Sequence, residues 1–175
     1  LLHADIDGGS ASRYAPVSRT DLDRAQCDVW CLGHIHKPSD MHAAPHAGYL
    51  GSTIGLNPGE PGRRGPWLLN WDAKQGVRMR HLGLAPLRWE SLVVSLDEFP
   101  RMPRLEDMQD LMQGRFLAAA EQMKASWTPD DKASVVGCRL RIEGRSQQHA
   151  LALSAAQALR GVPLECGGVL FFVEH

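Results

Sequence analysis

Short apolar blocks separated by stretches rich in Gly, Ser and Asp mark the first half of the chain. Leu1-Leu2-His3 reads as the end of a buried strand, and Asp5 to Tyr14 reads as a loop. A buried strand needs neighbours already in place, so an opening of this kind predicts that the chain is a fragment with further sequence upstream. Ser18 stands at a helix N-cap position with Asp21 three residues on, which predicts a helix from Arg19 to about Gln26. Asp28-Val29-Trp30-Cys31-Leu32 is an apolar run of strand length that stops at Gly33. Strand, loop, helix, strand and polar loop is α/β logic, and open α/β sheets place their chemistry at such strand ends. Gly48 to Ser52 is followed by an irregular stretch, Gly55 to Pro66, holding four Gly, three Pro and Arg63-Arg64. Pro66–Trp71 and Val77–Leu82 flank Lys74-Gln75-Gly76 and predict a β-hairpin. Val77 and Met79 alternate with Arg78 and Arg80, giving it one buried and one basic face.

The period changes after Gly83-Leu84-Ala85-Pro86, where a boundary is expected. Leu87–Leu96 is strand-like, and Pro100-Arg101-Met102-Pro103 is a rigid connector. Leu105, Met108, Leu111, Met112, Phe116, Ala119 and Met123 share one side of a helix predicted over 105–126. This Met-rich stripe reads as core rather than as a partner groove. A strand over Ser134–Glu143, a helix over Ser146–Arg160 stopped by Gly161, and a strand over Val169–Val173 complete a β-α-β-α-β unit. The sequence therefore predicts an α/β half-domain over residues 1–84 and a small α+β domain over 85–175. No repeat or low-complexity tract interrupts them.

Composition narrows the function. The 175 residues carry 19 basic and 20 acidic side chains, a net charge of −1, so any nucleic acid must be held by local patches rather than by a global field. No apolar run approaches the ~20 residues of a membrane span. Four scattered cysteines, Cys27, Cys31, Cys138 and Cys166, read as the reduced thiols of a cytoplasmic protein.

His34 and His36 lie two apart just beyond a strand, where a loop can turn both imidazoles toward one cavity. Neutral imidazole binds manganese, iron, zinc or nickel. Two histidines in an exposed loop would look the same if they stood alone. A third, His3, also ends a strand-like segment, and two neighbouring parallel strands would carry His3 and His34 to the same sheet edge.

Leu32-Gly33-His34-Ile35-His36-Lys37, with Leu1-Leu2-His3 before it and Tyr49-Leu50-Gly51-Ser52 after it, resembles the calcineurin-like metallophosphoesterases. Within them it is similar to the bacterial DNA-repair exonuclease branch of the SbcD and YhaO type. Leu87-Arg88-Trp89-Glu90 and Arg139-Leu140-Arg141-Ile142-Glu143-Gly144 look like that branch's C-terminal capping domain. The resemblance implies the C-terminal half of a β-sandwich flanked by helices, followed by the cap. It implies that His3 and His34 bind one metal ion and His36 a second. The ions would be manganese, with iron or zinc as alternatives. In the family an upstream Asp-x-His, a Gly-Asp and a Gly-Asn-His motif complete the two sites, and none of the three precedes the histidine pair here. Asp5 and Asp7 follow His3 in a loop and do not match them. No catalytic residue is therefore assigned within the chain. The implied activity is two-metal phosphodiester hydrolysis, as a DNA-repair exonuclease, with an SMC-like ATPase partner or a homodimer formed through upstream residues as further expectations. Alternatives are a phosphatase or phosphodiesterase for small molecules, and a non-catalytic DNA-binding or partner-docking module.

Other residues carry weaker signals. Cys27, Cys31, His34 and His36 have the spacing of a structural zinc cluster, but Cys31 lies inside an apolar strand, where cysteine behaves as a small hydrophobe. Arg63, Arg64, Arg78 and Arg80, with Arg88, are candidates for contacts to DNA phosphates, against the plainer reading of solvated arginines. Ser52-Thr53 could line the site or simply make a turn. His42, His46, His81, His149 and His175 have no partner pattern and read as surface or internally satisfied histidines.

Overall fold

The computed structural model describes residues 1–8, 15–41, 46–97 and 99–174. Most of the expected 5–14 loop, His42 and His175 fall outside them. The elements in chain order are β1 (Leu2–His3), β2 (Asp5–Ile6), β3 (Pro16–Val17), α1 (Arg19–Arg24), β4 (Trp30–Gly33), β5 (Ala47–Tyr49), β6 (Trp67–Asp72), β7 (Gly76–His81), β8 (Leu87–Ser95), α2 (Leu105–Ala125), β9 (Val135–Glu143), α3 (His149–Ala158), β10 (Leu164–Cys166) and β11 (Val169–Val173). No helix among the described residues is long and apolar enough to cross a membrane.

The chain divides into two compact units, Leu1–Ile54 with Arg64–Leu84 and Gly55–Arg63 with Ala85–His175. The stretch 55–63, expected to belong to the first unit, clusters with the second for identifiable reasons. Trp89 Nε1 donates to the Gly55 carbonyl at 3.1 Å, and Gly62 N donates to the Trp89 carbonyl at 2.8 Å. A Cβ on Gly55 would stand 2.9 Å from Trp89 Cδ1, so only glycine lets the indole approach without displacement.

In the first unit β4 is the middle strand of a parallel three-stranded sheet, ordered β1-β4-β5. Leu32 is fully buried at its centre. Ser18 caps α1 as expected, its hydroxyl accepting from Asp21 N at 3.1 Å. Trp30 Nε1 donates to the Leu22 carbonyl at 3.1 Å, which fixes that helix against the start of β4. Leu1 is 96% exposed and Leu2 37% exposed, and among the described residues β1 pairs with β4. β6 and β7 form the antiparallel hairpin, with Met79 buried and Arg78 and Arg80 exposed, as the alternation required.

The second unit is a four-stranded sheet ordered β10-β11-β9-β8, parallel except for β10, with α2 and α3 on one face. Met108, Met112 and Phe116 from α2, Ala152 and Ala155 from α3, and Leu92, Val136, Cys138 and Phe171 from the sheet form its core. The methionine stripe is thus core. Each fully buried Met, Phe, Leu or Val side chain among them contributes on the order of 1.5–3 kcal/mol of transfer free energy. The expected β-α-β-α-β order lacked β10. Gly167 and Gly168, both at positive φ, make a two-residue turn that folds Cys166 back onto Val169.

Candidate functional site

The parallel pairing of β1 with β4 sets Leu2 beside Leu32 and His3 beside Gly33. Both strands end at the same sheet edge, so His3 and His34 emerge together. Their ring centroids lie 5.5 Å apart with an interplanar angle of 65°. Gly33 permits this: a Cβ there would stand 2.9 Å from His3 Nδ1. His34 itself has φ 105°, a conformation that side-chain-bearing residues rarely adopt and that costs on the order of 1–3 kcal/mol. Strain of this kind persists where surrounding structure imposes it.

The imposing structure is the loop beyond His34. The His36 carbonyl accepts from Ser52 N at 2.9 Å, from Ser52 Oγ at 3.4 Å and from Arg64 Nη1 at 3.1 Å. Gly51, at φ 75°, packs where a Cβ would meet Pro38 N at 2.7 Å and the His36 carbonyl oxygen at 2.9 Å. Leu50 N donates to the Leu32 carbonyl at 2.9 Å and extends the sheet to the base of this loop. Gly51-Ser52 is therefore a backbone clamp on the histidine loop. Ser52 acts through its amide, with the hydroxyl making the longer contact.

The four arginines named from the sequence separate. Arg64 is buried, 4% exposed, and its guanidinium serves the His36 carbonyl; a hydrogen bond from a charged donor contributes about 1.5–3 kcal/mol. Arg63 lies 3.2 Å from Asp131 Oδ1, an ion pair without hydrogen-bond alignment, and Arg88 shares the same carboxylate oxygen at 3.4 Å. Arg63 and Arg64 thus face different partners, and neither a shared phosphate-facing loop nor a solvated one describes the buried Arg64. The Arg-Arg pair read as a basic loop because its two partners, a distant carbonyl and a distant carboxylate, leave no local mark. Arg78 and Arg80 do stand exposed on β7. His81, by contrast, is buried, stacked on Trp67 at 4.8 Å, with Nε2 3.1 Å from the Gly65 carbonyl, and His46 pairs with Asp23 at 3.0 Å.

Among the described residues no three His, Cys, Asp or Glu side chains gather closely enough to hold an ion. The donors present fit part of a metal centre: two imidazoles that reach one edge, with a third histidine two residues on. The same test leaves the zinc cluster of Cys27 and Cys31 with His34 and His36 without support. Cys27 is exposed, and Cys31 lies partly buried in β4, where desolvation raises its thiol pKa and favours the neutral form.

No family model matches the chain. It is similar to a metallophosphoesterase. The relative is the uncharacterized metallophosphoesterase YhaO of Bacillus subtilis (strain 168), 30% identical over 113 residues, which cover 62% of this chain. The chain spans 27% of the length of that curated relative. The similarity supports the metallophosphoesterase family at large and does not single out a DNA-repair branch within it.

Proposed function

We propose that the protein carrying this chain hydrolyses phosphodiester bonds with two divalent metal ions, and that its substrate is DNA undergoing repair. The observation that carries the reading is the meeting of His3 and His34 at one sheet edge, with His34 held at positive φ. In this reading His3 and His34 are neutral imidazole donors to one ion and His36 to the other, and donors outside this histidine loop complete both. Imidazole mixed with carboxylate suits manganese or iron, and zinc also fits the donor types. Paired divalent ions supply Lewis-acid activation of the phosphodiester and of the attacking water.

The protein's own contribution is to fix donor positions in advance. Gly33 admits the His3 ring, the Gly51-Ser52 clamp and Arg64 hold the loop, and the sheet supplies the rigid base. Arg78 and Arg80, side by side on the exposed face of β7, are the residues proposed to meet DNA phosphates. Such contacts position a strand without reading its sequence. Hydrolysis of small phosphodiesters is the second reading, favoured by the internal engagement of Arg63 and Arg64, which leaves fewer arginines for a polymer.

The test is manganese-dependent hydrolysis by the complete protein, on linear DNA and on a small chromogenic phosphodiester. The proposal expects both to be cleaved and both to be lost in His34→Ala. Arg78→Ala with Arg80→Ala should weaken DNA binding, lower its salt slope by about one counterion per residue, and spare the small substrate. Cleavage of the small substrate alone would move the protein to the second reading. Cleavage of neither would leave a non-catalytic module.

A further inference from the structure

We infer that Arg64 is a positioning residue for the histidine loop, acting on the second metal ion through the backbone of His36. The inference rests on the proposed role of His36 as a metal ligand and extends it to a residue that is not itself a ligand.

Three observations point the same way. First, Arg64 is buried, 4% exposed, in a stretch rich in Gly and Pro where a lysine or arginine would ordinarily reach into water. Burying a guanidinium is unfavourable unless its donors are used, so its location asks for a partner. Second, the partner seen is the carbonyl of His36, 3.1 Å from Nη1 and 28 residues earlier in the chain. Third, that same carbonyl is already met by Ser52 N at 2.9 Å, with Gly51 beneath it at φ 75°. A carbonyl oxygen has two lone pairs, and here both a backbone amide and a guanidinium converge on it. Two donors from different parts of the chain fix the direction of the His36 peptide plane, where one would leave it free to rock.

The direction of that plane decides where the His36 side chain starts. His36 is exposed, and its loop follows a residue at φ 105°, so neither burial nor regular structure orients it. The fixed carbonyl sets the backbone from which its side chain springs. Groups that orient metal ligands without touching the ion typically change affinity by about 10- to 100-fold when removed. Arg64 has the position to be such a group, but it grips the backbone rather than the imidazole nitrogen.

The experiment measures manganese(II) dissociation constants by titration of the complete protein, alongside the melting temperature of the metal-free form. The variants are Arg64→Ala, Arg64→Lys, His36→Ala and the double variant His36→Ala with Arg64→Ala. A merely structural role and a positioning role separate in the double variant, because His36→Ala removes the imidazole and leaves the carbonyl in place. Positioning predicts that Arg64→Ala weakens manganese binding about tenfold in the native background and has no further effect once the imidazole is gone. Arg64→Lys should recover part of the loss, since an ammonium can still donate to the carbonyl. If Arg64→Ala lowers stability so far that the protein cannot be titrated, Arg64→Lys and its double variant with His36→Ala carry the same comparison. An equal loss in both backgrounds, or no loss in either, overturns the inference and leaves the proposed metal centre standing. Unchanged manganese affinity in His36→Ala alone overturns the ligand assignment, and the inference with it.

Discussion

His3 and Gly33 are register partners across two parallel strands, and the absent side chain of Gly33 leaves the space that the His3 imidazole occupies, with Nδ1 2.9 Å from where a Cβ would be. A glycine ahead of a histidine is thereby a packing requirement set by a different histidine. Gly33→Ala should displace the His3 ring while β4, whose hydrogen bonds come from the backbone, stays formed. In the complete protein, manganese affinity should fall with little change in melting temperature. A large drop in melting temperature with metal affinity intact would reverse that assignment.

His34→Gly should separate stability from function. Glycine adopts φ 105° without a Cβ penalty, and the strain relieved outweighs its extra unfolded-state entropy by about 1 kcal/mol. The variant should be at least as stable as the native protein in urea unfolding and should have lost metal-dependent activity. His34→Ala keeps the strained backbone and should show no such gain. A His34→Gly protein markedly less stable than native would mean that the imidazole's contacts, and not its metal, hold the loop.

How far these relationships can be read from residues alone depends on how local they are. The Ser18 cap, the alternation in β7 and the α2 stripe each involve partners within one element, and all three were legible. The gathering of His3 and His34 was legible too, because two strand ends followed by histidines imply one parallel pairing. Arg64 was not: its partner lies 28 residues away and is a backbone carbonyl, which has no sequence signature. Gly55–Arg63 looked like a loop of the first unit because its Gly and Pro content says only that it is irregular. Its attachment depends on Trp89 and Asp131, two residues that carry no local hint of it. β10, at three residues, is too short for an alternation to show, and only the Gly167-Gly168 pair marks its turn in the sequence.

Asp131 should be a stability determinant of the second unit. Its side chain is 5% exposed and lies near Arg63 and Arg88 while accepting from Thr128 N at 2.7 Å and Thr128 Oγ1 at 2.9 Å. Asp131→Ala removes the carboxylate that both guanidiniums pair with and that Thr128 donates to, and should cost about 3 kcal/mol. Asp131→Asn keeps an acceptor oxygen and should cost less. Urea unfolding of the two variants checks the order, and equal, negligible costs would show the ion pairs to be incidental.

Cys138 gives the second unit a defined alkaline weakness. It is fully buried in β9, and desolvation, reinforced by the nearby Glu90 carboxylate, pushes its thiol from 9.0 up to about 12. The raised folded-state pKa means the unfolded chain releases this proton first. Its contribution to stability is therefore complete below pH 9 and is lost as pH rises from 9 toward 12. By pH 10 the loss should be about 1 kcal/mol, and it should be absent from the pH dependence of Cys138→Ala. Thiol reagents at pH 8 should modify the exposed Cys27 and spare Cys138 in the folded protein. Identical alkaline slopes for native protein and Cys138→Ala would contradict this.

In the proposed function His3 and His34 share one metal ion. Manganese(II) titration of the complete protein with His3→Ala, His34→Ala and the double variant distinguishes one shared ion from two separate ones. Two ligands of one ion predict that each single variant weakens the same binding step, and that the double variant loses much less than the sum of the two single losses. Independent, additive losses at two different binding steps, or native affinity in either single variant, would contradict it.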